Sequence, residues 1–147
     1  MEENSGNIVY KVTIAYDGTA FAGFQSQANA KELPTVQDAL EEKLLFVFAR
    51  PISIRVAGRT DAGVHALGQV FSFRTNVDRS EQVLFNALSS LLPDTIKVLS
   101  VSKEPDYFHA RFTARAREYE YLIKDGSTVD PFFRDRILYV KQKLDLE

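Results

Sequence analysis

The stretch VAGRTDAGVHALGQVFSF, residues 56–73, places a short polar segment between two apolar runs. Thr60, Asp61 and Gly63 supply the small polar residues and the glycine that a chain reversal needs, so the stretch predicts two strands joined by a turn. A turn has no use for an arginine, yet Arg59 stands two positions before Asp61. The stretch therefore predicts a hairpin and, separately, marks Arg59 and Asp61 as candidate functional residues.

Strand and helix patterns alternate on both sides of this hairpin. Strict alternation predicts a strand from Ile8 to Tyr16, and alternating Ile52, Ile54 and Val56 predict a second. Further strands are predicted from Ala66 to Thr75, Ile96 to Val101 and Ala114 to Ile123. A loop containing Gly23 and Pro34 follows the first strand. The order predicts an α+β domain with the ferredoxin-like split βαβ layout (βαββαβ), an antiparallel sheet with two helices on one face.

Two helices are predicted from apolar residues at helical spacing and from capping patterns. Thr35, with Asp38 three residues later, predicts the start of the first helix. The helix is predicted to end before Pro51, because proline does not continue a helix. Asp78 with Glu81 predicts the start of the second, whose apolar stripe stops at Pro93.

Composition excludes several classes of protein. The 147 residues include no cysteine and only two histidines, which removes disulfide and thiolate chemistry and makes a metal site unexpected. No apolar run is long enough to cross a bilayer, so no membrane association is expected. The net charge of −2 gives no general argument for a nucleic-acid partner. The one local exception is YFHARFTARAR, residues 107–117, with three arginines and no acidic residue; its alternative interpretation is a solvated strand face balanced by nearby acids.

The Arg59–Asp61 pair admits two interpretations. An aspartate in a turn commonly does no more than accept backbone hydrogen bonds. A guanidinium two residues away, however, would orient the carboxylate and keep it ionised, which makes Asp61 a usable nucleophile or base. His65 lies close by, but a lone histidine entering an apolar strand is expected to be structural.

The predicted late strand also carries a pattern of its own. By period two, its basic and aromatic residues share one face: Arg115, Arg117, Tyr119, Tyr121 and Ile123. Arginine contacts phosphate and tyrosine stacks on bases, so this face is suited to an RNA strand. The alternative is a pair of core tyrosines beside arginines that extend to solvent.

Four ordered blocks resemble the TruA-type tRNA pseudouridine synthases. They are GRTDAGVHA (58–66), YDGTAFAGFQSQ (16–27), LPTVQDALE (33–41) and FHARFTARAREYEYLI (108–123). That family continues through a second, related half. The resemblance therefore implies an N-terminal catalytic α+β domain at residues 8–105, and the start of a second domain at residues 106–147 that contributes the first strand of the related half.

The resemblance also implies roles for particular residues. Asp61 matches the catalytic nucleophile, Arg59 the arginine that pairs with it and helps to displace the base, and Tyr119 the tyrosine that packs against the uracil. Arg111 and Arg117 are expected to contact the substrate RNA. The implied partner is the anticodon arm of tRNA, modified at uridines 38 to 40 by a cytoplasmic homodimer without metal or other cofactor.

Other possibilities stay open at this point. A noncatalytic RNA-binding module, or a fragment that is inactive alone, would use the same sheet. A Ser-His-Asp hydrolase is disfavoured because no serine stands in a nucleophile-elbow context. The residues do not decide which uridines are modified, whether the chain dimerises, or whether Asp61 attacks C6 of the base or C1′ of the ribose.

Overall fold

The computed structural model describes residues 7–26, 32–126 and 128–146. Residues 27–31 of the predicted loop lie outside this part of the chain. Two compact units are present, Met1–Arg115 and Ala116–Glu147. Residues 107–113 belong to the first unit, where the backbone N–H of Ala110 donates to Ser72 Oγ at 3.0 Å. The prediction that a second domain begins at residue 106 stays a prediction.

The first unit is built on a four-stranded antiparallel sheet. Its strands are β1 (Ile8–Tyr16), β2 (Arg55–Val56), β3 (Ala66–Thr75) and β4 (Ile96–Glu104), and its helices are α1 (Val36–Phe48) and α2 (Glu81–Leu91). The strands lie in the order β2-β3-β1-β4. This confirms the predicted ferredoxin-like βαββαβ fold, in which each helix connects two strands separated by a third.

One continuous core lies between the sheet and both helices. The inward residues of β1 are those that alternation predicted, and they pack with aromatic residues of β3 and leucines of both helices: Tyr10, Val12, Ile14, Phe71, Phe73, Leu40, Leu44, Leu84 and Leu88. All of these are fully or almost fully buried. Burial of apolar surface on this scale holds β1 and β3 rigidly, and the predicted turn is attached to the beginning of β3.

Helix α1 begins and ends as predicted. The Thr35 hydroxyl accepts the Asp38 N–H at 3.1 Å, and the Asp38 carboxylate accepts the Thr35 N–H at 3.3 Å, which completes a capping box. Burial raises the pKa of the Asp38 carboxyl, but hydrogen bonds from Thr35 and Ser26 outweigh this and hold the pKa below its ordinary value. The helix ends in the left-handed conformation of Ala49, before Pro51.

The predicted cap of α2 is wrong. Ser80, not Asp78, is the N-cap, and its side chain accepts the Val83 N–H. Asp78 instead accepts hydrogen bonds from Lys103 Nζ at 2.6 Å and from the Tyr10 hydroxyl at 3.3 Å. The hydrogen bond from Lys103 is the main reason that the pKa of Asp78 lies below its ordinary value. Serine and aspartate are equally good caps, so spacing alone did not separate them.

The second predicted strand is shorter than expected. Only Arg55 and Val56 pair with β3, although Ile52 and Ile54 are buried as alternation indicated. The Ile54 N–H donates to Glu41 Oε1 at 3.1 Å rather than to a neighbouring strand. Alternation reports which side chains face the core, and backbone pairing is a separate property.

The second unit contains two short parallel strands, β5 (Ile123–Asp125) and β6 (Leu138–Val140). The predicted strand from Ala114 to Ile123, offered as the first strand of a related half, is therefore wrong over residues 114–122, which have no regular secondary structure. A strand needs a neighbour to accept and donate its backbone hydrogen bonds, and within the described residues β6 reaches only as far as the Leu122 carbonyl.

Candidate active site

The turn between β2 and β3 has a defined geometry. The Val64 N–H donates to the Asp61 carbonyl at 3.1 Å, closing a four-residue β-turn. Gly63 has φ +81°, the left-handed value that glycine adopts readily. Below the turn, the Ala57 N–H donates to the Val70 carbonyl at 2.8 Å, which extends the hairpin beyond the strand residues themselves. The predicted chain reversal is confirmed.

The short 3₁₀ turn at residues 18–20 contacts the C-terminal end of this β-turn, at Val64 and His65. The Gly18 N–H donates to His65 Nδ1 at 2.9 Å. A Cβ at position 18 would stand 2.0 Å from the Val64 carbonyl oxygen, so the two backbones meet at a distance that only glycine permits. Asp17 Oδ1 lies 3.2 Å from the same His65 nitrogen and also accepts the Thr19 N–H. His65 thus has a structural contact with the loop after β1.

The loop at residues 21–26 supports the turn from a second direction. The Phe24 N–H donates to the Thr60 carbonyl at 3.0 Å, and the Phe24 ring is fully buried in the core. Gly23 has φ +86°, and a Cβ there would lie 2.9 Å from the Thr60 carbonyl oxygen. The backbone on both sides of Asp61 is therefore held against the body of the domain.

A cleft of about 350 Å³ opens above this turn. It is lined by residues of the turn and of the 21–26 loop: Ala22, Gly23, Gln25, Arg59, Thr60, Asp61 and Ala62. Asp61 and Arg59 are exposed. Within the described residues, no hydrogen bond or ion pair involves the Asp61 carboxylate. The backbone amides of its own turn therefore do not donate to it.

The expected ion pair between Arg59 and Asp61 is not formed. Both side chains line the same cleft, but across residues 7–26, 32–126 and 128–146 the salt bridges do not include this pair. Exposed guanidinium and carboxylate groups gain little by pairing in water. Arg59 thus shares the cleft with the Asp61 carboxylate without forming an ion pair with it.

The other predicted site residues lie outside the cleft lining. Arg111 belongs to the first unit, in a tight turn where its N–H donates to His109 Nδ1 at 3.1 Å and its guanidinium lies 5.8 Å from the centre of the Phe112 ring. Arg117 and Tyr119 belong to the second unit. Both are exposed, with 65% of the Tyr119 surface accessible.

Sequence reasoning missed Gln25 as a lining residue. It follows the buried Phe24, and its neighbours in the cleft come from a turn more than thirty residues later in the chain. The only signal available was its place in the YDGTAFAGFQSQ block. Spacing alone does not bring residue 25 to residue 61, because their approach depends on the hydrogen bond between Phe24 and Thr60.

Two other features are absent from the described ranges. None of the helices there is both long and apolar enough to cross a bilayer. Over the same ranges, no three His, Asp or Glu side chains come together in a group that could hold a metal ion. The cleft, with Asp61 and Arg59 exposed in its lining, is the candidate functional site of the described residues.

Comparison with known proteins identifies the family. The family model for tRNA pseudouridine synthase matches residues 12–113, a range that contains Arg59, Asp61 and Arg111 but ends before Arg117 and Tyr119. A tRNA pseudouridine synthase A of Methylacidiphilum infernorum is 42% identical over 98% of this chain and 55% of its own length. Those of Exiguobacterium and Neisseria meningitidis serogroup B are 42% and 39% identical, each over 93% of this chain and 54% and 51% of their own lengths.

The chain thus spans about half the length of the curated relatives that it matches. The similarity covers the whole hairpin, both helices and the cleft described above. On this similarity, the chain belongs to the tRNA pseudouridine synthase family.

Proposed function

We propose that this chain carries the catalytic half of an enzyme that isomerises uridine to pseudouridine in tRNA. The observation that supports this most directly is the Asp61 carboxylate. It is exposed in a cleft, makes no hydrogen bond to a described residue, and stands on a turn whose backbone is held on two sides. A carboxylate that stabilises its own turn would instead be occupied by nearby amides.

Asp61 acts in this proposal as a covalent nucleophile. Its oxygen attacks either C6 of the uracil or C1′ of the ribose, and the bond between N1 and C1′ breaks. The detached ring turns within the cleft, C5 bonds to C1′, and the bond between the aspartate and the substrate breaks. C5 gives up its proton and N1 takes one up, each exchanged with solvent or a nearby base. The atoms of uridine and pseudouridine balance, so the reaction as written needs no co-reactant.

Arg59 and Tyr119 have complementary roles in the proposal. A uridine within a stacked stem must leave the stack before Asp61 can reach it, at a cost of a few kcal/mol. The Arg59 guanidinium, unpaired within the described part of the chain, fills the vacated position or contacts the adjacent phosphate. Tyr119 stacks on the uracil, and Arg111 and Arg117 contact the RNA backbone.

The finer features of the proposal come from the family resemblance. They are the anticodon arm as substrate, with uridines 38 to 40 as targets, a homodimeric assembly in the cytoplasm, and no metal or organic cofactor. The local run of three arginines in residues 107–117 supports an RNA partner despite the net charge of −2.

The test is an assay of the protein from the whole reading frame on unmodified tRNA transcripts. We expect conversion of uridine to pseudouridine within the anticodon arm, located by chemical labelling of pseudouridine and primer extension, and unchanged by a chelator. Tight tRNA binding with no conversion at any uridine would instead establish the noncatalytic RNA-binding module.

Two substitutions at Tyr119 distinguish stacking by the ring from a role of the hydroxyl. Because stacking uses the ring and not the hydroxyl, Tyr119→Phe is expected to keep most of kcat, whereas Tyr119→Ala loses the roughly 1–3 kcal/mol of one stacked base. Phe46, an exposed aromatic residue of α1 that does not line the cleft, provides the control as Phe46→Ala. Equal losses in Tyr119→Phe and Tyr119→Ala would assign the role to the hydroxyl.

A further inference from the structure

A small hydrogen-bond network lies beneath the cleft and joins three separate elements. The Tyr16 hydroxyl, at the end of β1, lies 2.6 Å from Thr60 Oγ1 in the turn. Gln69 of β3 donates from Nε2 to the Gly58 carbonyl at 2.7 Å and to the Tyr16 hydroxyl oxygen at 3.4 Å. The network therefore holds the residue on each side of Arg59.

The hydrogen bonds have a consistent direction. Gln69 Nε2 carries two protons, one for the Gly58 carbonyl and one for the Tyr16 oxygen. The phenol then has its own proton to give to Thr60 Oγ1. Since the Thr60 carbonyl accepts the Phe24 N–H, both the side chain and the backbone of Thr60 are held.

Burial of Tyr16 restrains the network. Only 4% of the Tyr16 surface is accessible and its ring packs against that of Phe24 with centroids 6.2 Å apart, while Thr60 and Gln69 are half-buried. The hydrogen bonds of the Tyr16 hydroxyl are therefore partly shielded from water, which raises the cost of breaking them.

An irregularity in the sheet brings these side chains together. Ile14 pairs with Gln69, whereas Tyr16 pairs with Ala66, so two steps along β1 correspond to three along β3. Such a β-bulge adds a residue to one strand and redirects the side chains beside it. Gln69 and Tyr16 consequently reach the same turn from neighbouring strands.

We propose that Tyr16, Thr60 and Gln69 are positioning residues that fix the Arg59–Asp61 turn for catalysis. The proposal rests on the function proposed above. None of the three transfers a proton or forms a bond to the substrate. They set the place from which the Asp61 carboxylate attacks, and displacements of about 1 Å at a reacting group can cost on the order of 100-fold in rate.

The first test compares two buried tyrosines in the whole protein. Tyr16→Phe removes one hydroxyl without changing the ring, and we expect kcat to fall by about 10-fold to 100-fold with little change in KM. Tyr10→Phe is the control, because the Tyr10 ring is also buried and its hydroxyl donates a part-buried hydrogen bond to the Arg79 carbonyl at 2.6 Å, but Tyr10 does not line the cleft. Equal kcat values for both variants and the wild type would overturn the proposal.

Two substitutions at Thr60 distinguish the contribution of its hydroxyl from that of its methyl group. Thr60→Val keeps the shape of the side chain and loses the hydrogen bond to Tyr16, so it is expected to reproduce the fall in kcat. Thr60→Ser keeps the hydroxyl and is expected to retain more of kcat than Thr60→Val. The opposite order would show that packing, and not the network, supports the turn.

Amide hydrogen exchange gives a readout that does not depend on activity. In Tyr16→Phe, exchange is expected to accelerate at Phe24 and Val64, whose N–H groups donate to the turn carbonyls of Thr60 and Asp61, and to stay at wild-type rates there in Tyr10→Phe. If the wild type made no pseudouridine, the proposed function would fail, and exchange would still decide whether Tyr16 holds the turn. Unchanged exchange at both amides refutes that role.

Discussion

Asp61→Asn is expected to lower pseudouridine formation by a factor on the order of 10³ or more, because an amide of the same shape cannot serve as the covalent nucleophile. Binding of tRNA should be nearly unaffected, since the loss of one negative charge in the cleft does not weaken contacts to phosphate. The measurement is single-turnover conversion with saturating enzyme, which separates chemistry from binding and product release.

A second aspartate gives the matched control. Asp94 is exposed in the turn between α2 and β4 and does not line the cleft. Asp94→Asn makes the same chemical change at a distance from the site and should leave the single-turnover rate unchanged. Wild-type turnover by Asp61→Asn would exclude Asp61 as the nucleophile, whatever the family assignment.

Gly18→Ala is expected to give the largest structural effect. The new methyl carbon would lie 2.0 Å from the Val64 carbonyl oxygen and 2.6 Å from its carbon, well inside any permitted contact. Backbone atoms have no alternative rotamer, so the 3₁₀ turn and the turn that carries Asp61 must separate. We expect a loss of about 3 kcal/mol in the free energy of unfolding, at the upper end for overpacking, together with loss of the Gly18–His65 hydrogen bond.

Gly68→Ala is the control for this substitution. Gly68 lies in β3, close to the same turn, but a Cβ there meets no atom within 4 Å and its φ is not positive. That variant should be neutral or slightly stabilising, because alanine reduces the freedom of the unfolded chain. Urea unfolding of both variants measures the difference, and equal stability would show that the close approach at Gly18 is relieved at no cost.

Much of the fold was predictable because its elements have local causes. The strand Ile8–Tyr16 and the capping box of α1 both form as predicted. Each depends on residues close together in the sequence. The α2 cap was predicted wrongly, because Ser80 and Asp78 offer the same chemistry two positions apart. Asp78 is instead engaged by Lys103 and Tyr10, which are distant in sequence.

The failed strand prediction at residues 114–122 has a different cause. Alternation records a preference for extended backbone with two unlike faces. A strand also requires a partner strand in register. The residue pattern of one segment does not identify that partner. The same limit explains why Ile52 and Ile54 are buried as predicted without pairing to β3.

The fold class, the turn, and the presence of Arg59 and Asp61 on it follow from the order and spacing of nearby residues. Three features required the folded chain: Asp61 faces an open cleft unpaired with Arg59, Gln25 shares this cleft, and Tyr16, Thr60 and Gln69 meet beneath it. Those facts depend on how β1, β3 and the loop after β1 approach one another. Such approaches are set by the packing of the whole core, which no local pattern specifies.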